Sequence, residues 1–232
     1  MAVQILRWQF TVADFARMVE SGILAEDDRV ELIEGEVRAM RPIGPRHVAM
    51  VNRLNALLSR QVADRAIVSV QNPVQLTDYT EPQPDIAVLR PREDFYAQAL
   101  PLPEDVLLVV EVAETSLEYD RDEKIPRYAQ TRIPEVWLIE VEQGAVTQYT
   151  HPDGTRYRRV QTLARGQFLS ADILGPLHLA IDSIFGEASM GESGGVLKET
   201  STSRGIPSRT WGLQLTDVST PWVYRHPMSR WS

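Results

Sequence analysis

Cysteine is absent from the 232 residues. Disulfides and thiolate metal sites are therefore excluded, and redox chemistry gives no reading of the compartment. No stretch approaches the roughly 18 apolar residues of a membrane span, and residues 1–10 lack the long apolar core of a signal peptide. These absences lead us to expect a soluble, cytoplasmic protein with no membrane partner. Positive charge is also scarce: 24 Lys and Arg face 32 Asp and Glu, for a net charge of −8. That balance argues against broad electrostatic affinity for nucleic acid. It argues only weakly against a nuclease, because acids gathered at a metal site raise the negative count and the ion reverses the local field. The chain has no basic stripe, no base-reading motif, no helix-turn-helix pattern and no internal repeat.

What is present suits a globular core. Hydrophobic residues make up 43% and charged residues 24%, ordinary values for a domain with a sizeable interior. Thr11-Val12-Ala13-Asp14 resembles a capping box and opens a short amphipathic helix carrying Phe15, Met18 and Val19 and closed by Gly22. Arg29 to Met40 reads as a hairpin turning at Glu34-Gly35. From His47 to about Ala63 a long helix is expected, with Val48, Val51, Leu54, Leu58 and Val62 on its apolar face. Short strands follow at Ile67–Val70 and Val74–Leu76, and a helical turn is expected near Phe95–Leu100. Leu117–Gln130 has a helical pattern interrupted by Pro126, which would delay the helix start to about Asp122. Strands are expected at Glu135–Val141, Ala145–Thr150 and Tyr157–Leu163, and a short apolar turn at Asp182–Phe185. The expected organisation is one domain over residues 1–185. A Ser-, Thr-, Gly- and Pro-rich tail, 186–232, is expected to be mostly disordered despite its isolated Trp211, Trp222 and Trp231.

Two stretches carry the chemistry. Gln83-Pro84-Asp85-Ile86-Ala87-Val88-Leu89 places an acid at the start of a strand, after a proline that marks the boundary. Val106-Leu107-Leu108-Val109-Val110-Glu111-Val112-Ala113 interrupts an apolar run with one acid. Such a run reads as a strand covered on both faces, where a carboxylate is costly unless paired, protonated or bound to a cation. Asp85 and Glu111 on neighbouring strands, with Lys124 nearby, would form a cup for Mg²⁺ or Mn²⁺ and a phosphate. The plainer alternative makes Asp85 a turn acid, pairs Glu111 with a buried arginine and leaves Lys124 on the surface.

The order of these elements resembles the Uma-two family, a bacterial group of proposed endonucleases within the PD-(D/E)xK restriction-endonuclease-like superfamily. The resemblance rests on Glu31-Leu32-Ile33-Glu34-Gly35-Glu36, His47, Gln83-Pro84-Asp85, Val110-Glu111-Val112, Asp120 with Lys124, Tyr128 and Glu135-Val136-Trp137-Leu138-Ile139. It covers roughly residues 8–185. It implies an α/β fold of the α+β mixed-sheet kind, a restriction-endonuclease-like core flanked by helices. It also implies metal-dependent hydrolysis of phosphodiester bonds; DNA is the expected substrate, with RNA left open by the residues. Carried over, Asp85 and Glu111 are the metal-binding acids. Ala113 stands where the superfamily lysine sits, and Lys124 on the following helix takes its place. Glu31, favoured over Glu34, matches a third acid that binds metal or positions water. His47 either contacts phosphate or a metal-bound water, or serves as a structural hydrogen-bonding residue. Tyr128 and Trp137 are expected to be packing residues.

Two further readings stay open. The fold could be a catalytically inactive module that binds nucleic acid or protein. Asp85 and Glu111 could instead act as an acid–base pair on a glycoside without metal, although aromatic sugar platforms are not evident. A homodimer is compatible with cutting both strands of a duplex, but no residue demonstrates one.

Overall fold

In a computed structural model the chain is described over residues 7–25, 27–171 and 177–186. All of these belong to the unit Met1–Ser189. The expectation for the tail lies outside the described residues, apart from Gly186.

The architecture follows from one strand buried on both faces. β3 (Ile67–Val70), β4 (Ile86–Leu89), β5 (Val106–Ala113), β6 (Glu135–Glu140), β7 (Ala145–Pro152) and β8 (Tyr157–Ala164) form a six-stranded sheet in that order. Every pairing is antiparallel except β5–β6. That parallel pair requires a crossover connection, which the helical stretch 117–130 supplies. All eight residues of β5 are buried. Leu108, Val110 and Val112 pack in one apolar layer with Val51, Leu54 and Leu58 of α2 (Pro45–Val62). Val109 and Ala113 point to the other layer, with Ile125, Tyr128 and Ala129 of the crossover. Alternation assigns Glu111 to this second face.

Two hairpins complete the unit. β1 (Val30–Ile33) and β2 (Glu36–Ala39) pair around Glu34-Gly35 as expected, and β9 (Phe168–Ala171) pairs with β10 (Leu177–Ala180). The second hairpin was not foreseen, because it is built from two four-residue strands. The capping box at Thr11 is present: its hydroxyl accepts from the Asp14 N–H while the Asp14 carboxylate accepts from the Thr11 N–H. It starts α1 (Val12–Glu20).

Several expected elements differ. Val74–Leu76 is extended but forms no strand of the sheet; its N–H groups bond to loop carbonyls of Pro82, Pro101 and Thr80. Residues 95–100 form turns rather than helix, with Phe95 and Tyr96 at positive φ of 50° and 64°. Val48 is 40% exposed, while His47 takes the inward position at the start of α2. The crossover begins at Leu117, not Asp122. It runs as α3 (Leu117–Tyr119), a π-helical turn (Asp120–Lys124) and α4 (Ile125–Gln130). The Ile125 N–H bonds to the Asp120 carbonyl, five residues back. Pro126 thereby falls in the first turn of α4, where its missing N–H costs little. The closing segment is a helix, α5 (Ile181–Phe185).

Candidate active site

Antiparallel register brings the two acids together. Ile86 lies opposite Val110 and Ala87 opposite Val109, so one further step along the pair sets Asp85 against Glu111. Both line a cavity of about 430 Å³, together with Arg29, Glu31, His47 and Lys124. The hairpin β1–β2 reaches this end of the sheet because Leu32 exchanges two backbone hydrogen bonds with Glu81, on the segment leading into β4.

Asp85 is held from three sides. His47 Nε2 lies 2.8 Å from Oδ1, the Gln71 amide donates to the same oxygen at 3.3 Å, and the Val112 N–H donates to Oδ2 at 2.9 Å. Burial works against the charged carboxylate, but the His47 hydrogen bond and charge, the Val112 N–H and Lys124 outweigh it and hold Asp85 below its ordinary pKa. For His47, burial opposes the charged ring; the Asp85 hydrogen bond and charge prevail, aided by Glu114, and raise its pKa.

Glu111 and Glu31 are joined by Lys124. The Lys124 ammonium lies 3.2 Å from Glu111 Oε1 and 3.3 Å from Glu31 Oε2, and donates to the Gln83 carbonyl at 3.4 Å. All three side chains are at most 4% exposed. The Tyr128 hydroxyl donates to Glu111 Oε1 at 2.6 Å, and the Tyr119 hydroxyl to Glu31 Oε1 at 2.8 Å. The Gln83 N–H donates to Glu31 Oε2 at 3.1 Å. Burial pushes Glu111 up to about 8; Lys124 counteracts this, while the charges of Asp120 and Asp85 add to it. Burial opposes the charge of Lys124, but Glu111, Glu31, Asp120 and Asp85 raise its pKa. Asp120 accepts from the Ser116 hydroxyl at 2.5 Å and is raised chiefly by burial.

The structure thus brings together all five residues expected at the site: Glu31, His47, Asp85, Glu111 and Lys124. Glu34 does not join them; it is exposed at the hairpin turn and pairs with Arg127 at 3.0 Å. Lys124 is not a surface residue, and Glu111 is not neutralised by an arginine. Tyr128 is more than a packing residue, since its hydroxyl binds a site carboxylate. Trp137 is buried in the core, with its indole N–H donating to Glu135 at 2.5 Å. Sequence reasoning missed Tyr119, Gln71 and Arg29. A regular α-helix turns about 100° per residue, so residues 119 and 124 would stand about 140° apart. The π-helical turn brings Tyr119 and Lys124 to the same site, and the misplaced proline at 126 was its one sequence signal.

A family model described as "Putative restriction endonuclease", Uma2, matches residues 12–182. The chain belongs to the Uma2 family. Its fold is similar to that of a solved structure titled as "a putative nuclease belonging to DUF820" from Anabaena variabilis ATCC 29413. The TM-score is 0.62 and the identity 18%, over 76% of this chain and 97% of that one. No curated protein matches the chain.

The donor set can be tested against the divalent cation that Uma2 membership brings to mind. Among the described residues, no group of three His, Cys, Asp or Glu side chains is arranged to hold a metal ion. Asp85 and Glu111 nevertheless offer hard oxygen donors side by side, and the Tyr128 hydroxyl and the closest approach of Lys124 both fall on Glu111 Oε1. Glu31, Asp85, Glu111 and Asp120 outnumber the cationic groups Lys124 and His47 that bind them. Burial is the main cause of the raised pKa of Glu111, and the charges of Asp120 and Asp85 add to it. A cation that keeps several waters and takes one or two carboxylates suits such a pair. The chemistry of this donor pair fits a hard divalent cation.

Proposed function

We propose that this protein is a Mg²⁺-dependent endonuclease that hydrolyses phosphodiester bonds in DNA, acting in the cytoplasm. The observation that carries the reading is the facing of Asp85 and Glu111 in one cavity, with Lys124 bonded to Glu111. In the reaction a water oxygen bonds to phosphorus and one P–O ester bond breaks. The products are a phosphate monoester and an alcohol, the leaving oxygen ending with a proton. Bound Mg²⁺ would lower the pKa of a coordinated water and offset charge on the phosphoryl oxygens.

The chain's own residues prepare that chemistry. His47 keeps Asp85 ionised and fixes the carboxylate plane. Tyr128 and Lys124 both hold Oε1 of Glu111, which orients the carboxylate. Lys124 also ties Glu31 to the same place, so Glu31 can position water beside the pair. These residues are preset before any substrate arrives, which lowers the reorganisation needed during reaction. Two copies acting together would serve both strands of a duplex.

The test is cleavage of supercoiled plasmid in MgCl₂ by wild type, Asp85→Ala and Glu111→Ala, each checked for folding by circular dichroism. We expect nicking or linearisation by wild type only, and no cleavage in EDTA. Wild-type rates in both variants would refute the assignment.

A further inference from the structure

Lys124 cannot easily be the group that grips the substrate. Its ammonium has three protons, and three oxygens, on Glu31, Glu111 and Gln83, already surround it at 3.2–3.4 Å. With 4% exposure it faces its partners rather than an incoming anion. A cavity that receives a phosphoryl group still needs a cation with uncommitted donors. Arg41 lines the cavity, but its Nη1 donates to the Thr115 carbonyl at 2.5 Å. Arg29 is different. It also lines the cavity, and its Nη1 is buried with no hydrogen-bond partner. Among the described residues Arg29 forms no ion pair, although acids crowd the same cavity.

The backbone explains how Arg29 is aimed. It directly precedes β1, and its carbonyl accepts from the Met40 N–H at 2.8 Å, which continues the hairpin pairing. Two residues along an extended strand share a face, so Arg29 and Glu31 project to the same side. Its charge is felt by His47, the residue that bonds Asp85. A buried guanidinium N–H left without an acceptor is unfavourable, by more than a neutral donor would be. An oxyanion in the cavity, met by a small shift of this side chain, would remove that penalty, and the planar fork of arginine suits two phosphoryl oxygens at once.

We propose that Arg29 is the phosphoryl-binding residue of this cavity, taking the non-bridging oxygens of a phosphate group through its unmatched guanidinium donors. Lys124 then serves as a positioning residue for Glu31 and Glu111. The inference that the phosphate belongs to DNA rests on the nuclease reading above; the oxyanion site itself does not.

Two measurements separate these layers. The first titrates inorganic phosphate into metal-free wild-type protein and follows arginine side-chain Nε–H resonances by NMR, with chloride as control. One resonance, assigned by its loss in Arg29→Met, should shift saturably with phosphate and not with chloride. The second follows anisotropy of a labelled DNA duplex, without metal, over a salt series. Arg29→Met should bind about tenfold more weakly and lower the salt slope by about one. Arg29→Lys, which keeps the charge, should keep the slope but lose part of the affinity. Melting curves establish that each variant folds. A phosphate response at Arg29 with unchanged duplex binding would support a free-phosphate site and count against DNA. Absence of any phosphate response at Arg29 would overturn the proposal, even if wild-type protein cleaves plasmid.

Discussion

The Tyr128 hydroxyl donates to Glu111 Oε1 at 2.6 Å, linking the crossover helix to the central strand. Both side chains are at most 2% exposed. Above pH 8, where Glu111 is ionised, a hydrogen bond to this charged group contributes roughly 1.5–3 kcal/mol. Tyr128→Phe should therefore lower stability by about that amount in urea titration, and reduce cleavage more than it weakens DNA binding. Equal loss of both would mean that Tyr128 only maintains the fold.

Removing the lysine should have the larger structural cost. Lys124→Met leaves Glu31 and Glu111 buried and facing each other without their shared cation, and breaking a buried pair in this way costs about 3–5 kcal/mol. The double variant Lys124→Met/Glu31→Gln should recover part of that stability without recovering activity. Urea midpoints of the four proteins in the cycle measure the coupling directly.

Metal should act on stability through Glu111. Burial and neighbouring acids raise this carboxyl to about 8, so a cation that binds the ionised form stabilises the folded chain by mass action. MgCl₂ should raise the melting temperature of wild type at pH 8, and raise that of Glu111→Gln far less. Equal shifts in both proteins would place the ion elsewhere.

A separate pH effect belongs to Glu81. Burial raises its pKa from 4.5 to about 7, so between these values the folded chain binds more protons than the unfolded one. Stability must then fall as pH rises through that window. Glu81→Gln should melt with wild type at pH 4 and above it at pH 8. Coincident melting curves at both values would show that the carboxyl is not held protonated in the fold.

The hairpin turn gives a test of how Glu31 is placed. Gly35 has φ of 76°, and a Cβ there would meet Gln9 Cβ at 2.5 Å. Gly35→Ala should destabilise the β1–β2 hairpin through both backbone strain and this contact. Hydrogen exchange should show faster opening of the Glu31 and Arg38 amides, a paired position of the hairpin, than in wild type, with the central sheet unchanged.

The central sheet and the acid pair were legible for a physical reason. An eight-residue apolar run with one carboxylate has few solutions, and Glu111 had to find partners. His47 occupies the inward position of a helical stripe that continues through Val51, Leu54, Leu58 and Val62, a signal available from spacing alone. Glu31 was legible through the family resemblance, with Glu34 set aside as the turn residue. The donors that complete the site were not. Tyr119 reaches Glu31 only through a five-residue helical turn, which 3.6-residue periodicity does not register. Gln71 and Arg29 flank strands, where pattern says little about direction. The β9–β10 hairpin was lost because four-residue strands carry too little alternation to stand out from a loop.

The five-residue turn at Asp120–Lys124 also bears on how the strand beside it can vary. With the ammonium group delivered from the helix, position 113 carries only a methyl group, which belongs to the apolar layer that holds Ile125 and Ala129. Sequence drift in this lineage should therefore tolerate small residues there, and treat the helical irregularity itself, rather than any strand position, as the part that cannot be smoothed away.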